Sequence, residues 1–202
     1  MRVNIVLKLA EQVPIMDCDY IGADKGALTL SKQNIHMIAS IGDFDSVEKK
    51  DLEQIEFYSE DMICLNPIKN DSDSEAALRY ALKKGYDEIA MYGAFGGRMD
   101  HSYYNIRLAY LYPNCLTLYD TYNKVYALKK GIYQIKKEDY PYISFFTDSK
   151  AKITLKGFEY PLDYYEMDQN TIFTLSNSIL KEEATLLVED GILLVLQTKD
   201  KE

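Results

Sequence analysis

The stretch Gly42-Asp43-Phe44-Asp45-Ser46 separates two segments of contrasting pattern, and it indicates the class of fold. Residues 37–41 before it are mostly apolar and predict a buried strand. Residues 47–58 after it are charged around one apolar stripe, which is typical of an amphipathic helix. The order strand, turn, helix indicates an α/β unit, in which Gly42 allows a tight exit from the strand.

Two carboxylates stand in this turn. Asp43 and Asp45 are two residues apart and would project the same way if the backbone stays extended. At the carboxyl end of a parallel strand they would lie where open α/β sheets bind ligands, and Mg²⁺ between them would relieve their repulsion. A polar turn in which Asp45 or Ser46 caps the next helix explains the same residues, and the spacing alone does not decide.

Strands and helices alternate through the rest of the first half. Further strands are predicted at 3–7, 20–23, 62–65 and 88–92, and helices begin near Asp24, Ser72 and Arg98. This alternation predicts α/β units and a mainly parallel sheet flanked by helices.

After Cys115 the pattern changes to short β-like runs separated by glycine and proline, which predicts an all-β sandwich. We place an α/β domain at 1–124 and the β-sandwich domain at 125–202. The predicted strands of this half are 116–119, 125–128, 132–135, 142–146, 153–155, 172–175, 184–188 and 192–197.

Composition limits the class of protein. The 202 residues are 47% hydrophobic, enough for a packed core, and the net charge of −9 argues against a nucleic-acid partner. Three scattered cysteines indicate a reduced compartment. No signal peptide and no apolar run of about 20 residues is evident, so we expect a soluble, cytoplasmic protein without a membrane partner.

Four acidic or glycine-rich turns follow the predicted strands, at 24–26, 43–45, 71–73 and 93–98. In a parallel sheet all four lie on one edge. They would then form a carboxylate cluster beside a glycine-rich, cationic loop, which suits the Mg²⁺-chelated phosphates of a nucleotide.

Each turn also has a simpler explanation. Asp24 could cap its helix, and Asp73 could offset a helix dipole. Ser72 and Glu75 fit a capping box, so we leave Glu75 out of the site. Arg98 has the wrong sign for the start of a helix, which favours a bound anion there.

The absence of several motifs excludes the chemistries that depend on them, and the roles of a few residues are undecided. No Walker-type phosphate loop, dinucleotide-binding fingerprint or Gly-x-Ser-x-Gly elbow is present, and two histidines with scattered cysteines do not make a zinc site. Gly96-Gly97 could be only a tight turn, Lys69 only a solvated lysine, and His101 either a packed or a functional residue.

The motifs, taken in order, resemble the bacterial type of the thiamin pyrophosphokinase family. The likeness covers nearly the whole chain, and its specific elements are Gly-Asp-Phe-Asp-Ser and Gly-Gly-Arg-x-Asp-His. The matching blocks are Ala23 to Ala27, Ile41 to Ser46, Lys69 to Leu78, Gly93 to His101 with Asn105, Gly157 to Leu162, and Ser176-Asn177.

The resemblance implies an enzyme that moves a pyrophosphoryl group from Mg-ATP to the hydroxyl of thiamin, releasing AMP. It also implies a homodimer with sites at the subunit interface. By this resemblance Asp43, Asp45 and Asp73 would hold Mg²⁺; Asp24, Lys69, Gly96, Gly97 and Arg98 would lie at the ATP phosphates; Asp100 would complete the catalytic site; and Ser176 and Asn177 would contact thiamin.

Three departures from the family pattern are present. Lys25 and Asn70 replace a glycine and an aspartate, and the Pro-Asp that precedes the third strand is absent. Two other interpretations therefore stay open: a related pyrophosphokinase that acts on another hydroxymethyl heterocycle, such as a pterin, and a catalytically inactive nucleotide- or thiamin-binding regulator.

Overall fold

The computed structural model describes residues 1–45, 47–66 and 72–201. The chain divides into two compact units, residues 1–105 with 118–120 and residues 106–117 with 121–202. The division is not a single cut, and the predicted domain boundary at residues 124/125 stays a prediction.

The first unit is built on a parallel sheet. Strand β1 (Arg2–Val6) pairs in parallel with β2 (Asp19–Ala23) and with β5 (Glu88–Tyr92). Strand β3 (Met37–Gly42) continues the sheet beyond β2, and β4 (Ser59–Cys64) lies beyond β3, again in parallel. The predicted mainly parallel sheet is confirmed.

Helices connect these strands. They are α1 (Lys25–Lys32), α2 (Lys49–Tyr58), α3 (Asp73–Lys83) and α4 (Met99–Leu111), and β6 (Leu116–Tyr119) follows α4. Along β1, Val3 to Val6 are fully buried, so both faces of the sheet are covered there. Leu30 of α1 and Ile55 of α2 pack into one core cluster with Met37.

The strand order places a topological switch point beside β1. Strands β1 to β4 follow one another outward across the sheet, whereas β5 returns to the opposite side of β1. The connections after β1 and after β5 therefore diverge, and a crevice opens outside the carboxyl ends of these two strands.

The predicted helix caps had mixed outcomes. The Ser72 hydroxyl accepts a hydrogen bond from the Glu75 amide at 3.2 Å, which confirms the cap of α3. Helix α2 begins later than predicted, with Glu48 at its N-cap position, so the expectation that Asp45 caps it was wrong. Ser46, the other predicted cap, lies outside the described residues.

The second unit carries antiparallel strands. They are β7 (Asn123–Lys136), β8 (Tyr142–Phe146), β9 (Lys150–Lys156), β10 (Leu162–Asp168) and β11 (Glu183–Thr198). Strand β11 pairs with β7 along its length, with β9 over its first half and with β8 over its second half. Phe145 and Phe158 meet edge to face at 5.7 Å in its core. The sandwich arrangement stays a prediction.

Three strand predictions for this unit were wrong. Residues 125–128 and 132–135 belong to one strand, because Gly131 pairs with Val188 in the ladder and does not form a turn. Residues 184–188 and 192–197 are also one strand, and Gly191 (φ 83°) only interrupts its register. Residues 172–175 form no strand, and β10 lies earlier in the chain.

Among the described residues, no helix is both long enough and apolar enough to cross a membrane.

Candidate active site

A cleft of about 470 Å³ lies at the carboxyl edge of the parallel sheet in the first unit. Its walls come from the turns after β1, β2, β3 and β5 and from the first turns of α3 and α4. The expectation that the turns share one edge is therefore confirmed for the described residues. The polar and glycine residues that line it include Lys8, Asp24, Asp43, Ser72, Asp73, Gly96, Gly97, Arg98, His101 and Asn105.

Three carboxylates line this cleft, those of Asp24, Asp43 and Asp73. Burial, followed by the negative charges of Asp73 and Asp43, raises the pKa of Asp24 above its ordinary value. One carboxylate oxygen of Asp24, Oδ1, is buried and has no hydrogen-bond partner among the described residues. The Lys25 amide and the positive charge of Lys8 lower this pKa in turn, but the net shift is upward, so an ionised Asp24 is only partly compensated.

The backbone brings the ends of β2 and β3 together at Asp24. The Asp24 amide donates to the Ile41 carbonyl oxygen at 2.9 Å. A Cβ atom added at Gly42 would lie only 3.0 Å from the Asp24 Cα atom, so glycine permits this approach. Asp24 itself adopts a positive φ of 49° and makes no side-chain capping hydrogen bond, so the capping explanation was wrong.

Asp45 does not join the other carboxylates. Phe44 is buried with a φ of 53°, so the turn is not extended and the two aspartates do not project alike. The Asp45 amide folds back to Asp43 Oδ1 at 3.3 Å, and the Asp45 side chain is exposed outside the lining of the cleft.

The glycine-rich turn after β5 forms the opposite wall. Gly93, Gly96 and Gly97 all have positive φ values, which other residues adopt at a cost. Helix α4 holds this turn: the Gly96 amide donates to the Ser102 hydroxyl at 3.2 Å, and Asn105 Nδ2 donates to the Ala94 carbonyl oxygen at 2.8 Å.

Arg98 lines the cleft and is paired with Asp100. Arg98 Nε donates to Asp100 Oδ1 at 3.1 Å, and a second hydrogen bond runs from Arg98 to the other carboxylate oxygen. This pairing lowers the pKa of Asp100. Asp100 is exposed and does not itself line the cleft, whereas His101 does.

The turn after β1 is part of the site that sequence reasoning missed. Leu7, Lys8 and Leu9 line the cleft, although this turn carries neither an acidic residue nor a glycine. The only feature of the sequence that could have indicated this turn was its position after the first predicted strand. Lys69, the lysine that we did predict, lies outside the described residues.

Ser176 and Asn177 lie in the second unit, away from these turns in the sequence. Asn177 is buried, and its side chain holds Tyr160: Oδ1 accepts from the Tyr160 amide at 3.0 Å and Nδ2 donates to the Tyr160 carbonyl oxygen at 2.8 Å. Ser176 is exposed with a φ of 56°. Asn177 also lines a small cavity of about 50 Å³.

The donor set of the cleft suits a nucleotide-bound Mg²⁺ better than a protein-enclosed metal. No three His, Cys, Asp or Glu side chains converge as metal ligands in the described part of the chain. Mg²⁺ commonly takes one or two carboxylates and completes its shell with phosphates and water. The unpartnered Asp24 Oδ1 beside Asp43 and Asp73 fits a cation of this kind.

A parallel sheet with a switch point and an acidic cleft at its carboxyl edge is the arrangement in which open α/β proteins commonly bind their ligands. Residues 16–119 match the model of the thiamin pyrophosphokinase catalytic domain, and residues 132–193 match the model of the vitamin B1 binding domain of the same enzyme. The chain belongs to the thiamin pyrophosphokinase family, and it is an enzyme.

Individual relatives agree with this assignment. Thiamine pyrophosphokinase of Bacillus subtilis is 33% identical over 187 residues, which cover 90% of this chain and 87% of the relative. A crystal structure of thiamine pyrophosphokinase from Bacillus subtilis superposes with a TM-score of 0.89 at 29% identity, with both chains fully covered. A family protein from Enterococcus faecalis gives 0.89 at 27% identity, also over both whole chains.

Proposed function

We propose that this enzyme transfers a pyrophosphoryl group from Mg-ATP to the hydroxyl of thiamin, giving thiamin diphosphate and AMP. Membership of the family carries the general activity, the formation of thiamin diphosphate. The proposal adds three details to this activity: ATP as the donor, Mg²⁺ as the metal and AMP as the second product.

The observation that carries the proposal is the group of three carboxylates in the cleft. Asp24, Asp43 and Asp73 lie close enough to raise the pKa of Asp24, and an oxygen of Asp24 is left without a partner. Arg98 and the glycine turn face the same cleft. A ligand that brings both a cation and anionic phosphates, as Mg-ATP does, complements both sides at once.

Magnesium bound to ATP would be held by Asp43 and Asp73, with Asp24 beside them, and would offset charge on the phosphates as the bond to AMP breaks. Asp45 is also a predicted ligand of this Mg²⁺, but because its side chain lies outside the lining of the cleft, we propose a smaller role for it than for Asp43 and Asp73. Arg98, fixed by Asp100, would contact the phosphates from the other wall.

The transfer itself requires an in-line approach. The thiamin hydroxyl oxygen bonds to the β-phosphorus, the bond from that phosphorus to the α,β-bridging oxygen breaks, and AMP leaves. Because the cleft is lined by fixed turns, the phosphates are positioned before the reaction, which lowers its entropic cost. The hydroxyl proton passes to a carboxylate or to solvent.

The proposed thiamin contacts are residues of the second unit. Ser176 and Asn177 are the proposed thiamin contacts, through the hydroxyl of Ser176 and through the turn around Tyr160 that Asn177 holds.

We further propose a homodimer with its sites at the subunit interface and a cytoplasmic location, both on the family resemblance.

Product analysis tests the function. The purified enzyme is incubated with Mg-ATP and thiamin, and nucleotides and thiamin species are separated by chromatography. Equal amounts of AMP and thiamin diphosphate are expected. ADP as the nucleotide product would contradict the transfer of an intact pyrophosphoryl group.

Two further measurements, one incubation and one binding titration, decide between the alternatives. A pterin with a hydroxymethyl group replaces thiamin in one, and turnover there but not with thiamin would identify the related pyrophosphokinase. Binding of thiamin without turnover, measured by calorimetry, would identify the inactive regulator.

A further inference from the structure

The turn after β1 is a rigid element of the cleft. The Leu7 amide donates to the Tyr92 carbonyl oxygen at 2.9 Å, and the Ala10 amide donates to the Leu7 carbonyl oxygen at 3.0 Å. The Thr29 hydroxyl of α1 donates to the Ala10 carbonyl oxygen at 3.0 Å. These bonds define the β1 turn, Leu7 to Ala10, and attach it to β5 and to α1.

Glycines on two neighbouring elements allow this packing. A Cβ atom at Gly93 would lie 2.4 Å from the Ala10 amide nitrogen, and one at Gly26 would lie 1.9 Å from the Val6 carbonyl oxygen. Both distances are far below a normal contact. The β1 turn is thus enclosed by the glycine turn on one side and by the start of α1 on the other.

Lys8 occupies the second position of this turn and lines the cleft with the three carboxylates. Its side chain is exposed and makes no direct hydrogen bond with the residues that the structure describes, although its positive charge lowers the pKa of Asp24. Arg98, on the other wall, is already paired with Asp100. Lys8 therefore keeps all three of its donors for a ligand.

Lys8 also lies at the topological switch point of the sheet. It follows β1, where the crevice between β1 and β5 opens, and β1 turn residue Leu9 lies 3.7 Å from the Cβ position of Gly96. An anion bound at the glycine turn would thus lie beside the β1 turn. A lysine there acts as a point charge that reaches phosphate oxygens.

We propose that Lys8 is a phosphate-binding residue that contacts the β- or γ-phosphate of the nucleotide. The proposal rests on the proposed function for the identity of the nucleotide. It adds a cation, carried by the first turn of the sheet, that no motif of the sequence indicated.

The test is a set of equilibrium binding measurements, which need no turnover. Isothermal titration calorimetry compares the wild type with Lys8→Met for three ligands in Mg²⁺: α,β-methylene-ATP, AMP and adenosine. Loss of one charged hydrogen bond should weaken α,β-methylene-ATP roughly 10-fold to 100-fold and change adenosine by less than about twofold. Lys8→Arg, which keeps the charge, should recover most of the affinity.

Lys32→Met is the matched control, because Lys32 is an exposed lysine at the far end of α1. It should bind all three ligands as the wild type does. Equal losses for adenosine and α,β-methylene-ATP in Lys8→Met, or no loss for either, would overturn the role of Lys8.

These experiments distinguish a failure of the proposed function from a failure of the Lys8 proposal. Wild-type binding of α,β-methylene-ATP without formation of thiamin diphosphate from ATP would contradict the function but still test Lys8. No binding of this analogue by the wild type would contradict both.

Discussion

Asn105 in α4 donates from Nδ2 to the carbonyl oxygen of Ala94 at 2.8 Å, and both residues are buried. This bond ties a helix to the glycine-rich turn that forms one wall of the cleft. Because glycine has the largest conformational freedom, such a turn needs external bonds to hold one shape. This wall of the cleft is therefore fixed by Asn105, which also lines the cleft.

Replacing Asn105 should loosen this wall. Asn105→Leu leaves the buried Ala94 carbonyl oxygen without its donor, which costs roughly 1–3 kcal/mol of unfolding free energy. We expect a lower melting temperature and a higher KM for ATP, with less change in KM for thiamin. Tyr103→Leu, at an exposed position of the same helix, is the control and should leave both values near those of the wild type.

The two aspartates of the Gly42 to Asp45 turn should differ in importance. Asp43 lines the cleft and Asp45 does not, so Asp43→Asn should reduce kcat/KM by roughly 100-fold or more, and Asp45→Asn by far less. Titration of Mg²⁺ at fixed ATP measures the effect on metal use. Equal losses in the two variants would mean that Asp45 reaches the ligand in a conformation other than the one described.

The Asp24 carboxylate should lower the stability of the folded protein although the activity needs it. Its carboxylate is partly buried beside Asp43 and Asp73, and its raised pKa means that the charged form is disfavoured in the folded state. Asp24→Asn keeps a residue that tolerates a positive φ and removes the charge. We expect a melting temperature higher by roughly 2–4 °C at neutral pH, with lower activity. A lower melting temperature would show that the charge is compensated within the protein.

Alkaline pH should act through Tyr86. Burial and the hydrogen bond to Asp19 Oδ2, at 2.5 Å, raise the pKa of Tyr86 to about 12. The unfolded chain loses this proton near pH 10 and the folded chain only near its raised pKa, so the stability that Tyr86 provides is lost across this interval. Urea unfolding at several pH values should show a smaller fall over this range in Tyr86→Phe than in the wild type. Parallel curves would contradict the assignment.

The parallel half of the fold could be predicted because its signals are local. Apolar runs that end in acidic or glycine turns marked four of the strands, and the common edge of their turns followed from the parallel arrangement. The sequence did not reveal that Asp43 and Asp45 project differently, because the left-handed backbone conformation of Phe44 leaves no signal in the type of its side chain. Lys8 was missed because a lysine after a short strand carries no pattern of its own.

The second half was harder to predict for a related reason. Gly131 and Gly191 read as turns in the sequence, yet both lie within long strands. At Gly191 a Cβ atom would lie 2.1 Å from the Lys150 carbonyl oxygen, so the glycine is required by the approach of β9. A glycine in the sequence can therefore indicate either a close contact between strands or a hairpin turn, and its residue type alone does not distinguish the two.

The transfer of an intact pyrophosphoryl group at the carboxyl edge is most directly tested by labelled ATP. ATP labelled separately at the α- and the γ-phosphorus is incubated with the enzyme, Mg²⁺ and thiamin, and the products are separated. We expect the γ label in thiamin diphosphate and the α label only in AMP. Label from the γ-phosphorus in thiamin monophosphate, with ADP as the partner product, would contradict it.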